Sequence, residues 1–282
     1  MPDEDFLSKL VDWATSRSDI AGLIMTGARA RPGAPVDSYS DYDLEIFTED
    51  PRLYTAASEW MSEIGGVWVF LATDSRRGCP TRLIIFDGGR KVDFSILPVS
   101  ALEVMVATRR LDDLYQQGHL ALVDKRGLAT RLPQPSNSPP ARRGPTEEEF
   151  RATVEEFWFE AWHIPKYLAR GDLWVVKHRD WTMKKMLLRM LEWYATAGNG
   201  SALDIAQIGV RMKDWTRPDI WKRLQESFGR FDAADSQRAF IATIALFRGV
   251  APETAARLGY TYPQHVDDAI GGYIEGFVDS SG

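Results

Sequence analysis

Two apolar segments joined through a small-residue bend confine what the first fifty residues can build. Ile20 to Met25 reads as a buried strand ending at Thr26-Gly27-Ala28-Arg29. A Pro/Gly-bearing loop from Ala30 to Tyr39 follows, and then a second strand, Tyr42 to Phe47. Side chains two apart on a strand share a face. Asp41 and Asp43 therefore point one way, and Tyr42 and Leu44 the other. Two carboxylates held this close repel each other unless a cation lies between them. Oxygen-only ligands on a strand suit Mg²⁺, which takes one or two carboxylates together with substrate phosphates. The bend just upstream offers backbone N–H groups to such phosphates.

Asp93 is the third acid to follow. Thr81 to Phe86 and Lys91 to Leu97 are apolar runs separated by Asp87-Gly88-Gly89-Arg90, a hairpin signal, and Asp93 lies on the return strand. If that strand pairs beside the one carrying Asp43, at the usual ~5 Å spacing, three carboxylates converge. Phosphoryl and nucleotidyl transfer need such a set: metal ions neutralise a triphosphate and hold it in line with the attacking oxygen. The third carboxylate ligates metal or accepts the proton of the incoming hydroxyl. Glu45 continues the same face, and we read it as the partner of a nearby arginine.

Patterning divides the chain. Helical periodicity covers Phe6 to Ala14, Leu53 to Ile64 and Val99 to Thr108, and strand-like runs cover Val67 to Ala72 and Ala121 to Asp124. Leu132 to Pro145 holds five prolines and Arg142-Arg143, and reads as a connection. Thr146-Glu147-Glu148-Glu149 has a capping pattern, and the chain beyond it reads as helical: Glu147 to Leu168, Asp180 to Ala197 with a stop at Gly198, Asp235 to Leu258, and His265 to Val278. The predicted fold class is α+β, a mixed sheet with flanking helices over residues 1–131, a connection over 132–145, and an all-α bundle over 146–282. A cleft between the two is the expected ligand site.

The net charge of −6 argues against nucleic acid as a partner, because phosphate contacts favour basic proteins. A single cysteine, Cys79, excludes an internal disulfide and fits a reducing, cytoplasmic setting. Neither a secretory leader nor an uncharged stretch long enough to cross a bilayer is apparent, so no membrane partner is expected. No P-loop pattern and no nucleophile elbow is present.

Gly27-Ala28-Arg29, Asp41-Tyr42-Asp43 and Val92-Asp93 together resemble the nucleotidyltransferase superfamily. Within it, the chain is similar to the aminoglycoside 6-adenylyltransferases, which inactivate streptomycin. The likeness continues through Val123-Asp124-Lys125-Arg126-Gly127, Glu156-Phe157-Trp158, the run Lys185 to Tyr194, Leu246-Phe247-Arg248 and Leu258 to Pro263. The order of these fragments makes the set specific. The resemblance implies a nucleotidyltransferase-like sheet domain in which ATP, the co-substrate, and Mg²⁺ bind at Gly27, Ala28, Arg29, Asp41, Asp43 and Asp93. AMP then moves to a hydroxyl of the aminoglycoside, and a monomer or weak homodimer is expected. Lys177 falls where the family has a lysine suited to phosphate. One departure is Ala28, where the superfamily usually has a serine whose hydroxyl contacts a terminal phosphate of ATP. That departure leaves two alternatives open: a relative binding nucleotide or a small cation without turnover, or an adenylyltransferase for another amine-bearing metabolite or a protein. Streptomycin carries guanidinium groups, so its pocket should offer acids and aromatic faces. Glu160, Asp172 and Trp174, taken as flanking the turn where the first long helix ends, are the candidates. Glu155, Glu156, Glu192, Trp158, Trp162 and Tyr194 lie nearby in sequence.

Overall fold

The structure, a computed structural model, describes residues 2–75, 77–137, 143–199, 205 and 207–280. The chain divides into two units, Met1–Pro140 and Ala141–Gly282. Of the Pro-rich connection, residues 138–142, Arg142 among them, lie outside the described residues.

In the first unit the order is α1 (Pro2–Ser16), β1 (Ile20–Thr26), α2 (Gly27–Ala30), β2 (Tyr42–Thr48), α3 (Arg52–Thr55), α4 (Glu59–Ser62), β3 (Val67–Asp74), β4 (Pro80–Phe86), β5 (Arg90–Pro98), α5 (Val99–Thr108), α6 (Asp113–Gln116) and β6 (Leu120–Asp124). The strands form one mixed sheet, ordered β3-β4-β5-β2-β1-β6. Only the central β2–β5 pair is parallel; the other pairings are antiparallel. The β4–β5 reversal uses Gly88 and Gly89 at φ 74° and 76°, a conformation that glycine enters without Cβ strain.

Strand alternation divides the interior into two cores. Tyr42, Leu44 and Ile46 pack with Phe6, Leu10 and Trp13 of α1 and with Phe94. Phe47, on the other face, packs with Ile24, Leu97, Leu102 and Tyr115. Asp43 and Glu45 belong to this second face by the same alternation. Leu132, read as the start of the connection, is buried in the second core beside Leu128 and Ala129.

The predicted helix over Leu53 to Ile64 is two separate turns. Between them the Thr55 carbonyl accepts from Arg82 Nη2, and the Ala57 carbonyl accepts from Trp60 Nε1 at 3.2 Å. Carbonyls that would continue the helical ladder are committed to side chains instead.

The second unit is helical among its described residues: α7 (Glu147–Arg170), α8 (Leu173–Asn199), α9 (Met212–Trp215), α10 (Pro218–Glu226), α11 (Ala233–Leu258) and α12 (Gln264–Ser280). The expected capping box opens α7: Glu149 N donates to Thr146 Oγ1 at 3.1 Å and Thr146 N to Glu149 Oε2 at 2.7 Å. Gly171, at φ 75°, closes it. α8 begins two residues later, well before the expected Asp180, and continues through Gly198. Its stripe of Met183, Met186, Leu187, Met190, Leu191 and Tyr194 is buried against Phe157, Phe240 and Phe247. α9 and α10 were not expected; α10 starts with Pro218 at its first turn, where the missing N–H costs nothing. By length and composition alone α11 passes for a membrane span, but 56% of its most apolar window is buried inside the protein, as in a core helix.

Candidate functional site

The bend, the β2 entry and β5 assemble one acidic patch. Asp43 stands in register with Thr26 of β1 on one side and with Asp93 of β5 on the other. Parallel neighbours in register present side chains to one face about 4.8 Å apart. Asp41 lies one residue before β2. Lys91, two residues before Asp93 on β5, reaches between them: its Nζ donates to Asp41 Oδ2 at 2.7 Å and to Asp93 Oδ2 at 2.9 Å. Asp93 Oδ1 is 2.8 Å from the same nitrogen, so both oxygens of that carboxylate face the ammonium.

Electrostatics follow from this crowding. Burial, then the charges of Asp93 and Asp41, push the Asp43 carboxyl up to about 6, against the opposing pull of Lys91 and Arg31. Burial works against the Lys91 ammonium. Its hydrogen bonds to Asp41 and Asp93, with their charges, outweigh that and hold its pKa above the usual lysine value. Lys91 is the residue that sequence reasoning passed over, and its signal was the two-residue spacing to Asp93.

Gly27 has a reason of its own. Its φ is +67°, and a Cβ there would lie 2.7 Å from Asp43 Cγ. The bend is glycine so that the Asp43 carboxylate can lie against the backbone. No side chain caps the short α2 turn that carries Ala28 and Arg29. Arg29 holds the loop that leads into β2: Nε donates to Ser40 O at 3.1 Å and Asp41 O at 3.2 Å, and Nη2 to Ser40 O at 2.9 Å. Its guanidinium lies 4.0 Å from the centre of the Tyr42 ring.

Glu45, on the same face, has the expected arginine. It is buried, pairs with Arg77 Nη1, and accepts from Tyr115 Oη at 2.7 Å. Arg77 continues to Asp112 Oδ2 at 2.5 Å. Burial raises the Glu45 pKa, opposed by the Arg77 charge and the Tyr115 hydrogen bond.

The remaining candidates belong to the helical unit. Glu160 is mid-helix rather than at the turn; it is buried and accepts from Arg179 Nη1 at 2.9 and 3.1 Å. The turn is at Gly171, and Asp172 and Trp174 flank it. Both are exposed, Trp174 at 80%. Lys177 Nζ donates to Gly229 O at 2.9 Å. Trp158 is wholly buried.

Residues 2–277 match the family model described as streptomycin adenylyltransferase. The chain belongs to that family. It is accordingly a nucleotidyltransferase, for which a nucleotide is co-substrate. An aminoglycoside 6-adenylyltransferase of Campylobacter jejuni is 24% identical over 94% of this chain and 92% of its own length. One of Bacillus subtilis (strain 168) is 23% identical over 97% of each. A crystal structure of an aminoglycoside 6-adenyltransferase from Bacillus subtilis superposes loosely, with TM-score 0.48 and 20% identity over 97% of each chain.

Adenylyltransferases typically use a divalent metal. Among the described residues no three His, Cys, Asp or Glu side chains stand close enough to hold a metal as they are. The donor chemistry nonetheless fits a hard cation. Asp41 and Asp93 already converge on one cation, the Lys91 ammonium.

A prediction for metal-free protein follows from Asp43. Its folded pKa, about 6, lies above the ordinary aspartate value of 3.8. The folded state therefore holds the proton longer, and stability is lost as pH rises through that window. Asp43→Asn removes the penalty. In chelator, its urea midpoint at about pH 7 should exceed the native one by the equivalent of ~2 kcal/mol, with the gain fading by about pH 4. A gain independent of pH would assign the effect to packing instead.

Proposed function

We propose that this nucleotidyltransferase moves AMP from ATP, with Mg²⁺, to a hydroxyl of an aminoglycoside, streptomycin being the first acceptor to test. The observation that carries the reading is the gathering of Asp41, Asp43 and Asp93 on one sheet face beside the Gly27 bend. The names of the relatives supply the acceptor class.

In this reading Asp41 and Asp93 hold the metal with Asp43 beside them. The metal, when bound, neutralises the triphosphate and stabilises the departing pyrophosphate. Asp93 is also the proposed acceptor for the proton of the incoming hydroxyl. Gly27 lets Asp43 take its place, and Arg29 fixes the backbone that presents Asp41. Ala28 brings no hydroxyl, so phosphate contact at the bend falls to backbone amides. Lys177 is proposed as a phosphate contact that gives up its bond to Gly229. Asp172 and Trp174 are the proposed acceptor contacts, an open carboxylate and an open indole face for guanidinium groups. Glu160 supports them by orienting Arg179. Catalysis is then mostly positioning and electrostatics, and a cytoplasmic setting suits an ATP co-substrate.

Ala28 favours a second reading, a binding protein without turnover, and one experiment separates the two. With ATP, Mg²⁺ and streptomycin the protein should release pyrophosphate and add one AMP to the drug, read by mass spectrometry. Silence across a panel of aminoglycosides, from protein that still binds ATP, would leave the non-catalytic reading. Asp93→Asn should lower turnover by about a hundredfold or more with an unchanged circular dichroism spectrum; near-native turnover would remove Asp93 from the mechanism. Ala28→Ser should bind ATP as tightly as the native protein or more tightly, since it adds one donor to a charged group. A large loss measured by calorimetry would mean the bend is shaped for something other than a triphosphate.

A further inference from the structure

We propose that Lys91 is a built-in counter-ion that keeps the acidic patch closed to a free divalent cation and yields to one that arrives with a polyphosphate. The inference rests on the metal reading above and deepens it. Lys91 Nζ occupies the position a metal bridging Asp41 and Asp93 would need: it is 2.7 Å from Asp41 Oδ2 and 2.9 Å from Asp93 Oδ2. A Mg²⁺ ion binds such oxygens at about 2.0–2.1 Å. An ammonium and a dication cannot both occupy the position between these two oxygens, so a metal seated there displaces the lysine.

Its departure is sterically simple. The backbone of Lys91 is fixed in β5 opposite Ile85, but its stem carries four flexible carbons and its side chain is 34% exposed. What the departure costs depends on what arrives. A lone dication leaves the displaced ammonium beside a like charge and returns only metal–carboxylate bonds. A dication carrying a polyphosphate brings an anion to the same sheet face, and the released ammonium gains a partner there. The charge balance thus favours metal and nucleotide entering together. Lys91 sits two residues from Asp93, so the strand that supplies one acid also supplies the group that holds it neutral.

The charge arrangement sets Lys91 apart from an ordinary surface salt bridge. It spans an acid on β5 and one just before β2, and Asp43 adds a third carboxylate whose charged form Lys91 and Arg31 favour. Without Lys91 the patch holds three acids with little to balance them, and should bind a cation more avidly.

The test is Mn²⁺ binding by isothermal titration calorimetry on native protein, Lys91→Met and Lys91→Arg, each with and without a non-hydrolysable ATP analogue. Native protein should bind Mn²⁺ weakly alone and tightly with the analogue. Nucleotide-free Lys91→Met should bind Mn²⁺ about tenfold more tightly than native protein, or better. Lys91→Arg, which keeps the charge, should stay as weak as native. If Lys91→Met is unfolded without metal, refolding on Mn²⁺ but not on equivalent NaCl supports the same conclusion. Equal Mn²⁺ affinity in folded Lys91→Met and native protein, or tight binding of Mn²⁺ alone by native protein, would overturn the role of Lys91 while leaving the metal site standing. Failure of the native protein to bind Mn²⁺ even with the analogue would overturn the metal reading and this proposal together.

Discussion

The parallel pairing of β2 with β5 is the constraint on which the site depends. A parallel ladder places residues of equal register side by side on one face, and here that brings Asp43 beside Asp93. Two carboxylates at strand spacing are unfavourable by themselves, and the Asp43 pKa is raised by burial first and by the Asp93 charge second. The surroundings accept it because apolar packing on both faces holds the two strands: Tyr42, Leu44 and Ile46 on one, Phe47 and Leu97 on the other. An arrangement that stores repulsion in the absence of ligand has a preference for a cation ready at the moment one arrives.

The local chemistry around the pairing is consistent with that purpose. Gly27 is required at its bend for two separate reasons, a positive φ and the absence of a Cβ where the Asp43 carboxylate lies. Arg29 spends its donors on the carbonyls of Ser40 and Asp41, which fixes the approach to β2. A basic residue next to a candidate phosphate turn reads from sequence as a phosphate ligand. In the fold its Nε and Nη2 also hold the strand entry in place.

Local signals were the legible ones. The Gly88-Gly89 reversal, the alternation along Tyr42 to Phe47, the Thr146/Glu149 capping box and the buried stripe of α8 each depend on residues near one another in sequence. The arginine partner of Glu45 was foreseen as a type but not as Arg77, since that pairing links distant segments. The convergence of Asp43 and Asp93 stayed conditional for the same reason: nothing within either strand states which neighbour it will have. The break between α3 and α4 was hidden because it depends on Arg82, a residue of β4, taking a carbonyl from the helical path. Glu160 was misplaced relative to the turn because α7 runs on to Arg170 and ends at Gly171.

Glu45 and Asp43 sit two residues apart on one strand and one face, yet their charges are managed in opposite ways. Glu45 is dry, its side chain only 2% exposed, and it is fixed by a guanidinium and a phenol whose other contacts lock them in turn. Breaking that set would strand a buried charge, which is strongly unfavourable, so it behaves as structure. The aspartate patch is bridged by one flexible ammonium, and Asp41, 42% exposed, leaves a route from solvent. An arginine fork holds its geometry, whereas a lysine is a point charge that can be exchanged for another. The same strand thus carries one carboxylate committed to the fold and, next to it, a set whose counter-charge is replaceable, and only the second can serve a ligand that comes and goes.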